Sequence, residues 1–269
     1  MRRLAPYQSG LWLAEYVNKR CQLCRVAASV LQPQPKEDSF ASSSAPHIFS
    51  SLSQHLNSGL LCADCHHNIA WLPEPFSVDI AADTSLSVQA ASYYDYPLRQ
   101  AIHGFKHQED MTKLPLLVHV LRQLPRPNGC HTDNSVIVAM PTTSSRLRAR
   151  GFDPVTILSA YLSKHWRIPI WHGVQRIDET VSQRGLGRAE RLTNLTDAFC
   201  VIEPPPVKRL LLFDDVATTG ASLQALAGTL LPSSSININI PRTQTLDPLP
   251  TSYQISAFAL AHGSQRLHK

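Results

Sequence analysis

The stretch LLLFDDVATTGAS, residues 210–222, decides the fold. Leu210, Leu211, Leu212 and Phe213 are an unbroken apolar run, the pattern of a short strand buried on both faces in a parallel sheet. The chain is expected to leave that strand directly into Asp214 and Asp215. Two carboxylates then sit at a C-terminal strand edge, where open α/β sheets bind ligands. Ala217, Thr218, Thr219, Gly220 and Ala221 suit a tight turn whose backbone N–H groups and hydroxyls can surround a phosphate. A helix expected over 221–231 turns its positive N-terminal end toward the same place. The carboxylates suit ribose hydroxyls and, through them, a hard cation such as magnesium. Either half alone is commonplace, Asp-Asp as a solvated turn and Thr-Thr-Gly as helix capping. Strand, acid pair, small-residue loop and helix in this order point to a sugar-phosphate site.

Outward from that run the pattern alternates. A strand over 136–140, a helix over 155–165, a short strand near Trp171, the 210–213 strand with its helix, and a strand over 236–240 form successive βαβ units. That succession requires a parallel sheet with helices on its faces. Upstream, 88–94 reads as a strand, while 98–105 and 114–124 have helical apolar spacing. Residues 253–260 add a final strand. The fold class is α/β, with a main domain over 76–269.

Residues 1–75 are of a different kind. Cys21 and Cys24 form one CxxC pair, Cys62 and Cys65 another, the ligand set of a tetrahedral structural zinc site. A redox CxxC or two disulfides are the competing readings; no secretory pattern precedes the first pair, which disfavours both. The interval between the pairs is long and Ser-rich over about 32–58, the composition of an insertion. His47, His55, His66 and His67 are expected to be surface histidines, since four cysteines complete the shell. Cys130 and Cys200 are isolated thiols. An amphipathic stretch over 11–17 leads in, and Pro73 and Pro75 mark the exit.

Composition sets bounds. The chain has 269 residues, 43% of them hydrophobic, enough for one core of ordinary size plus a small module. No apolar run approaches membrane-spanning length, and a soluble cytoplasmic protein is expected. A net charge of +5 implies attraction to polyanions, which a phosphate-rich ligand explains as well as a nucleic acid does.

The 210–222 run resembles the phosphoribosyl pyrophosphate (PRPP) motif of type I phosphoribosyltransferases: apolar strand, two acids, two variable residues, then Thr-Thr-Gly-small-Ser. By that resemblance Asp214 and Asp215 bind the ribose 2′- and 3′-hydroxyls. Ala217, Thr218, Thr219, Gly220, Ala221 and Ser222 hold the 5′-phosphate.

With the cysteine pairs included, the chain resembles the ComF family, which includes ComFC of competence operons and GntX of enteric bacteria. Tyr94, Leu98, Arg99, Ile102 and Lys106 match that family's Tyr-x-x-x-Leu-Arg-x-x-Ile-x-x-x-Lys segment. Pro141, Arg146, Arg148, Arg150, Gly151 and Phe152 match its Pro, basic residues and Arg-Gly-Phe. Thr180, Gln183, Leu186, Glu190, Arg191, Asn194, Ala198 and Phe199 follow its later segment. One departure stands out: Asp153-Pro154 replaces the usual Asn-Gln after Arg-Gly-Phe. Asp153 can cap a helix with Pro154 in its first turn, so the fold survives while the site changes.

The resemblance implies roles. Arg146, Arg148 and Arg150, in a loop after a parallel strand, would form the pyrophosphate loop, and guanidinium forks suit a diphosphate. Arg184, Arg188 and Arg191 would lie in a flexible loop that closes over the ribose, with Arg184 joining Asp214 and Asp215 at the reacting centre. An enzyme of this kind would transfer the pentosyl group from PRPP, bound with magnesium, to an acceptor; no acceptor-specific hood is legible. The other function class is a non-catalytic protein of DNA uptake, natural transformation or DNA utilisation. It would bind a nucleotide or single-stranded DNA through the inherited site, beside a competence helicase or DNA-processing proteins. Trp71, Tyr93, Tyr94 and Phe105 are stacking candidates, though an aromatic content of 7% is ordinary and core roles are expected.

Overall fold

The computed structural model describes residues 20–26, 60–81, 84–177, 198–231 and 253–263. The stretches expected over 11–17, 32–58 and 236–240, and the segment from Thr180 to Asn194 with Arg184, Arg188 and Arg191, lie outside the described residues, as do His47 and His55.

A short helix α1 (Ala63–His67) carries Cys65 of the second cysteine pair and is capped by the side chain of the other, Cys62. The hairpin β1 (Phe76–Ala81) and β2 (Thr84–Tyr93) comes next, then α2 (Leu98–His107), a 3₁₀ turn (Met111–Lys113) and α3 (Leu114–Leu121). Strand β3 (Ser135–Ala139) leads into α4 (Ser144–Arg150) and α5 (Pro154–Trp166). A small ribbon, β4 (Val174–Arg176) with β5 (Phe199–Val201), precedes β6 (Arg209–Ala217), α6 (Ala221–Leu230) and β7 (Gln254–His262).

The main sheet has five strands in the order β1-β2-β7-β6-β3. The β2–β7, β7–β6 and β6–β3 pairs are parallel, and β1 joins antiparallel at the edge. The sheet is thus mixed and mostly parallel, with an antiparallel hairpin strand at 76–81 that the sequence pattern did not reveal. The stretch near 253–260 is no appendage: β7 lies in the middle of the sheet. Its Ala257, Ala259, Leu260 and Ala261 are almost fully buried, as expected of a strand covered on both faces. Near Trp171 there is only a bridge, Ile170 beside Ile137, before the chain turns into the ribbon.

The core explains this order. Leu210, Leu212 and Phe213 are fully buried, each contributing about 1.5–3 kcal/mol of apolar burial. Helices α3 and α5 pack on each other; α3 also meets β2 and β7, and α5 meets β3 and β6. Trp166, at the end of α5, packs edge to face on Phe258 of β7 at 5.0 Å and donates its indole N–H to Leu124 O at 3.2 Å. Helix α6 covers β1, β6 and β5. Leu61, Cys62 and Ile69 of the cysteine region belong to the same buried cluster as the sheet. Among the described residues, no helix is long and apolar enough to cross a membrane.

Candidate functional site

Strand β6 carries the acid pair as its own residues. It runs on through Asp214 and Asp215 to Ala217, paired with β7 as far as His262, so the expected exit before Asp214 is corrected. The reason is β7, whose backbone offers ladder partners to both acids' neighbours; a local apolar run cannot reveal that. Asp214 is half-buried, and its Oδ1 accepts the Asp215 N–H at 2.8 Å. Asp215 is 3% exposed, and Lys106 Nζ, from the last turn of α2, sits 2.8 Å from its Oδ1 and 2.7 Å from its Oδ2. Burial, then the Asp215 charge, push the Asp214 carboxyl up to about 7.

That shift has a consequence for stability. The folded state binds a proton at Asp214 between about pH 4 and 7 that the unfolded chain releases. Stability from this group is therefore greatest below the unfolded value and is lost as the pH rises through about 7. Asp214→Asn should stabilise the protein at pH 8 by about 1–2 kcal/mol, and by little near pH 4. Urea midpoints of both proteins across that range check it; an equal difference at every pH would refute it.

The loop after β6 is held from two sides. Ala217 O accepts the Gly263 N–H at 2.9 Å and lies 3.0 Å from His262 Nδ1, while the His262 ring stacks on Phe76 at 4.1 Å. Gly220 takes φ 75° and caps α6 without a side chain. Its Cα faces Val78 so closely that a Cβ would come within 2.6 Å of that residue's Cγ1. Thr218 and Thr219 remain exposed, Ala217 and Gly220 are buried, and Ala221 and Ser222 are half-buried.

The basic residues are arranged differently from expectation. Arg146, Arg148 and Arg150 lie on helix α4, where a loop was expected. Thr143 caps its start by accepting the Arg146 N–H at 3.2 Å, and Gly151 at φ 73° ends it, ordinary helix signals on either side of the arginines. Arg146 lies near Arg176 of β4, and Arg176 feels Asp214. Burial and then Arg146 lower the Arg176 pKa, while Asp214 opposes them. Arg150 and Asp215 both reach His107: partial burial, then Arg150, His103 and Lys106, hold its imidazole below the usual value against Asp215. Nothing comparable ties Arg148 to the acids.

Sequence reasoning gave Lys106, His107 and Arg176 no role. Lys106 was visible only as a matched family position, 109 residues from its partner in the chain. Arg176 lies over the Phe199 ring at 5.3 Å and lines a cavity of about 330 Å³ with Met140, Thr142, Asp153, Trp171 and His172. The β4–β5 ribbon thus flanks a pocket at the end of β3, a candidate hood. Asp153 caps α5 as expected, accepting from Val155 N at 3.1 Å and Thr156 Oγ1 at 2.7 Å, with Pro154 in the first turn.

The four cysteines converge. Their Sγ atoms all lie within 4.8 Å of one another, and Cys24 and Cys62 are 3.7 Å apart. Zinc–sulfur bonds of about 2.3 Å in a tetrahedron set the sulfur atoms about 3.8 Å apart, so the donor set fits a structural zinc ion. Burial pushes the Cys62 and Cys65 thiols up, a cost that a bound cation removes. Against its own burial, hydrogen bonds from the backbone at Cys62, Cys24 and Leu23 bring Cys21 down to about 7. None of the six cysteines is in a disulfide. His67 is exposed as expected, but His66 is not: it is 6% exposed, packed on Trp71 at 4.9 Å and 3.4 Å from His119 Nε2 through its Nδ1. Helix α1 turns one of two adjacent histidines inward, which sequence spacing alone did not decide. Phe105 is core, while Trp71, Tyr93 and Tyr94 are half-buried.

A larger groove, about 590 Å³, separates the first cysteine pair from α2, with Arg25, Tyr94, Tyr96, Arg99, His103 and Lys113 among its walls. It is lined by none of the residues of the acid pair or the loop that follows.

No family model matches. Competence protein F of Haemophilus influenzae is 32% identical over 146 residues, covering 51% of this chain and 63% of that protein, less than two thirds of its length. DNA utilization protein YhgH of Salmonella typhimurium is 27% identical over 157 residues, 56% of this chain and 68% of that protein. The YhgH protein of Escherichia coli strain K12 is 30% identical over 155 residues, 55% and 66% respectively. With a mostly parallel α/β sheet and a four-cysteine cluster beside these alignments, the chain is a distant homologue of competence protein F and the DNA utilization proteins YhgH.

Proposed function

We propose that this protein binds a ribose 5-phosphate moiety, PRPP with its magnesium, at the end of β6, and that it serves DNA uptake or DNA utilisation. One observation carries the reading: Asp214 and Asp215 lie toward the end of a buried parallel strand that closes at Ala217, and exposed Thr218 and Thr219 follow at the opening of α6. The acids would take the ribose hydroxyls, residues 217–222 the 5′-phosphate, and Arg146, Arg150 and Arg176 the diphosphate, with magnesium arriving on the diphosphate. The cavity beside Arg176 would receive the acceptor if pentosyl transfer occurs. Stabilising the departing diphosphate and positioning the ribose would then be the protein's main contributions. The cysteine cluster would hold one structural zinc ion. The DNA role is supported by the likeness to competence protein F and the DNA utilization proteins YhgH.

Calorimetric titration with PRPP and magnesium tests it. Saturable binding is expected, lost in Asp214→Asn/Asp215→Asn with the fold intact; absence of binding at millimolar PRPP would defeat the ribose-phosphate reading.

A second reading, binding of single-stranded DNA, is favoured by the groove between the first cysteine pair and α2, which combines Arg25, Arg99 and Lys113 with Tyr94 and Tyr96. Such binding should weaken steeply with salt and be insensitive to the acid-pair substitutions.

A further inference from the structure

We propose that Lys106 is a positioning residue of the ribose site, its ammonium standing on Asp215 where a carboxylate-bound divalent cation would otherwise sit. The inference rests on the ribose-phosphate reading above and deepens it by assigning the cation at the sugar end of the site. Two adjacent carboxylates near a strand end are, by their chemistry, an invitation to magnesium or manganese. Here the invitation is already taken. Lys106 Nζ lies 2.8 Å from Asp215 Oδ1 and 2.7 Å from Oδ2, so one ammonium engages both oxygens of a carboxylate whose side chain is 4% exposed. Asp214 Oδ1 accepts the Asp215 N–H at 2.8 Å, which turns that oxygen toward the strand backbone.

A divalent ion on Asp215 would share one carboxylate with the ammonium, and it would meet a neighbourhood that is already positive. His107, the residue after Lys106, feels the charges of Arg150, Lys106 and Asp215 together. Hard cations of this kind need several oxygen ligands at about 2.0–2.6 Å, and the ammonium occupies the approach to them. Lys106 lies in the last turn of α2, whose buried face, Leu98, Ala101, Ile102 and Phe105, fixes the helix to the core. A lysine held in this way fixes the Asp215 carboxylate in one orientation toward a sugar hydroxyl without a metal. Magnesium then belongs to the diphosphate end of the ligand alone.

Two measurements decide this independently. The first uses Mn²⁺ alone, followed by electron paramagnetic resonance. Wild type should show no Mn²⁺ site that depends on Asp215, whereas Lys106→Met should gain one of about tenfold higher affinity or more, abolished again by Asp215→Asn in that background. Lys106→Arg, which keeps the charge, should behave as wild type. A wild-type Mn²⁺ site already as tight as that of Lys106→Met, and lost on Asp215→Asn, would overturn the proposal. So would a Lys106→Met protein that folds by circular dichroism yet gains nothing.

The second uses ribose 5-phosphate, which carries no diphosphate to bring magnesium with it. Its affinity for wild type should change less than about twofold on adding magnesium, while Lys106→Met should lose about tenfold without magnesium and recover with it. Magnesium dependence in wild type would overturn the assignment. If ribose 5-phosphate fails to bind wild type at all, the ribose-phosphate reading falls, and the Mn²⁺ result still decides which cation Asp215 holds.

Discussion

Stripping the metal from the cysteine cluster, or replacing Cys24 by serine, is expected to unfold residues 20–26 and 60–72 while the parallel sheet stays folded. The four sulfur atoms lie within 4.8 Å of one another, and no disulfide ties the two CxxC segments. Without a cation, what holds the segments together is the backbone pairing of Gln22 N with Leu60 O at 2.9 Å and a few buried apolar contacts. A structural zinc ion contributes on the order of 10 kcal/mol of apparent binding energy in small modules of this kind, far more than those contacts. Protein purified without added metal should contain about one equivalent of zinc. A strong chelator should open the region to proteolysis and change the environment of Trp71, whose indole N–H donates to His66 O at 2.8 Å beside Cys65. Zinc below about half an equivalent, or an unchanged proteolysis pattern after chelation, would count against the site.

The second large effect is expected at Gly220. Its φ of 75° is in the left-handed region, where a side chain costs about 1 kcal/mol, and an added Cβ would lie 2.6 Å from Val78 Cγ1 and 3.2 Å from Phe76 Cε2. Val78 is buried on β1 and Phe76 is stacked on His262, so neither neighbour is free to yield. Gly220→Ala should therefore destabilise by about 2–4 kcal/mol and shift the loop that opens α6, weakening PRPP binding with it. Gly228 is the control. It lies inside α6 with nothing within 4 Å of an added Cβ, so Gly228→Ala should stabilise by about 0.5–1 kcal/mol and leave binding unchanged. Chemical denaturation and calorimetry on the two variants give the comparison; equal stabilities would show that the loop tolerates a side chain.

Much of the site was legible because its signals are local. The apolar run at 210–213, the acid pair and the small-residue turn follow each other in the chain, and the elements they specify are set by side-chain period and capping within a few residues. Asp153 and Pro154 likewise start α5 by chemistry confined to one turn. The cysteine pairs announce their ligand set by spacing. The arginines at 146, 148 and 150 are helical for an equally local reason, since Thr143 and Gly151 bracket them as cap and stop.

What the sequence by itself determined is the set of local elements and the chemical groups they carry: a buried strand leading to two acids, a glycine-opened helix, four thiols in two pairs. What only the tertiary structure decided is which groups meet. Strand β7 enters the middle of the sheet between β2 and β6, and this carries β6 through the acid pair and lays Gly263 against Thr218, with room for no side chain there. Lys106 reaches Asp215 across 109 residues, and Arg176 comes within electrostatic influence of Asp214 on a ribbon with no periodic pattern long enough to read. Such pairings depend on how whole elements pack, because the free energy that chooses strand order is summed over the entire buried face rather than written at any one position.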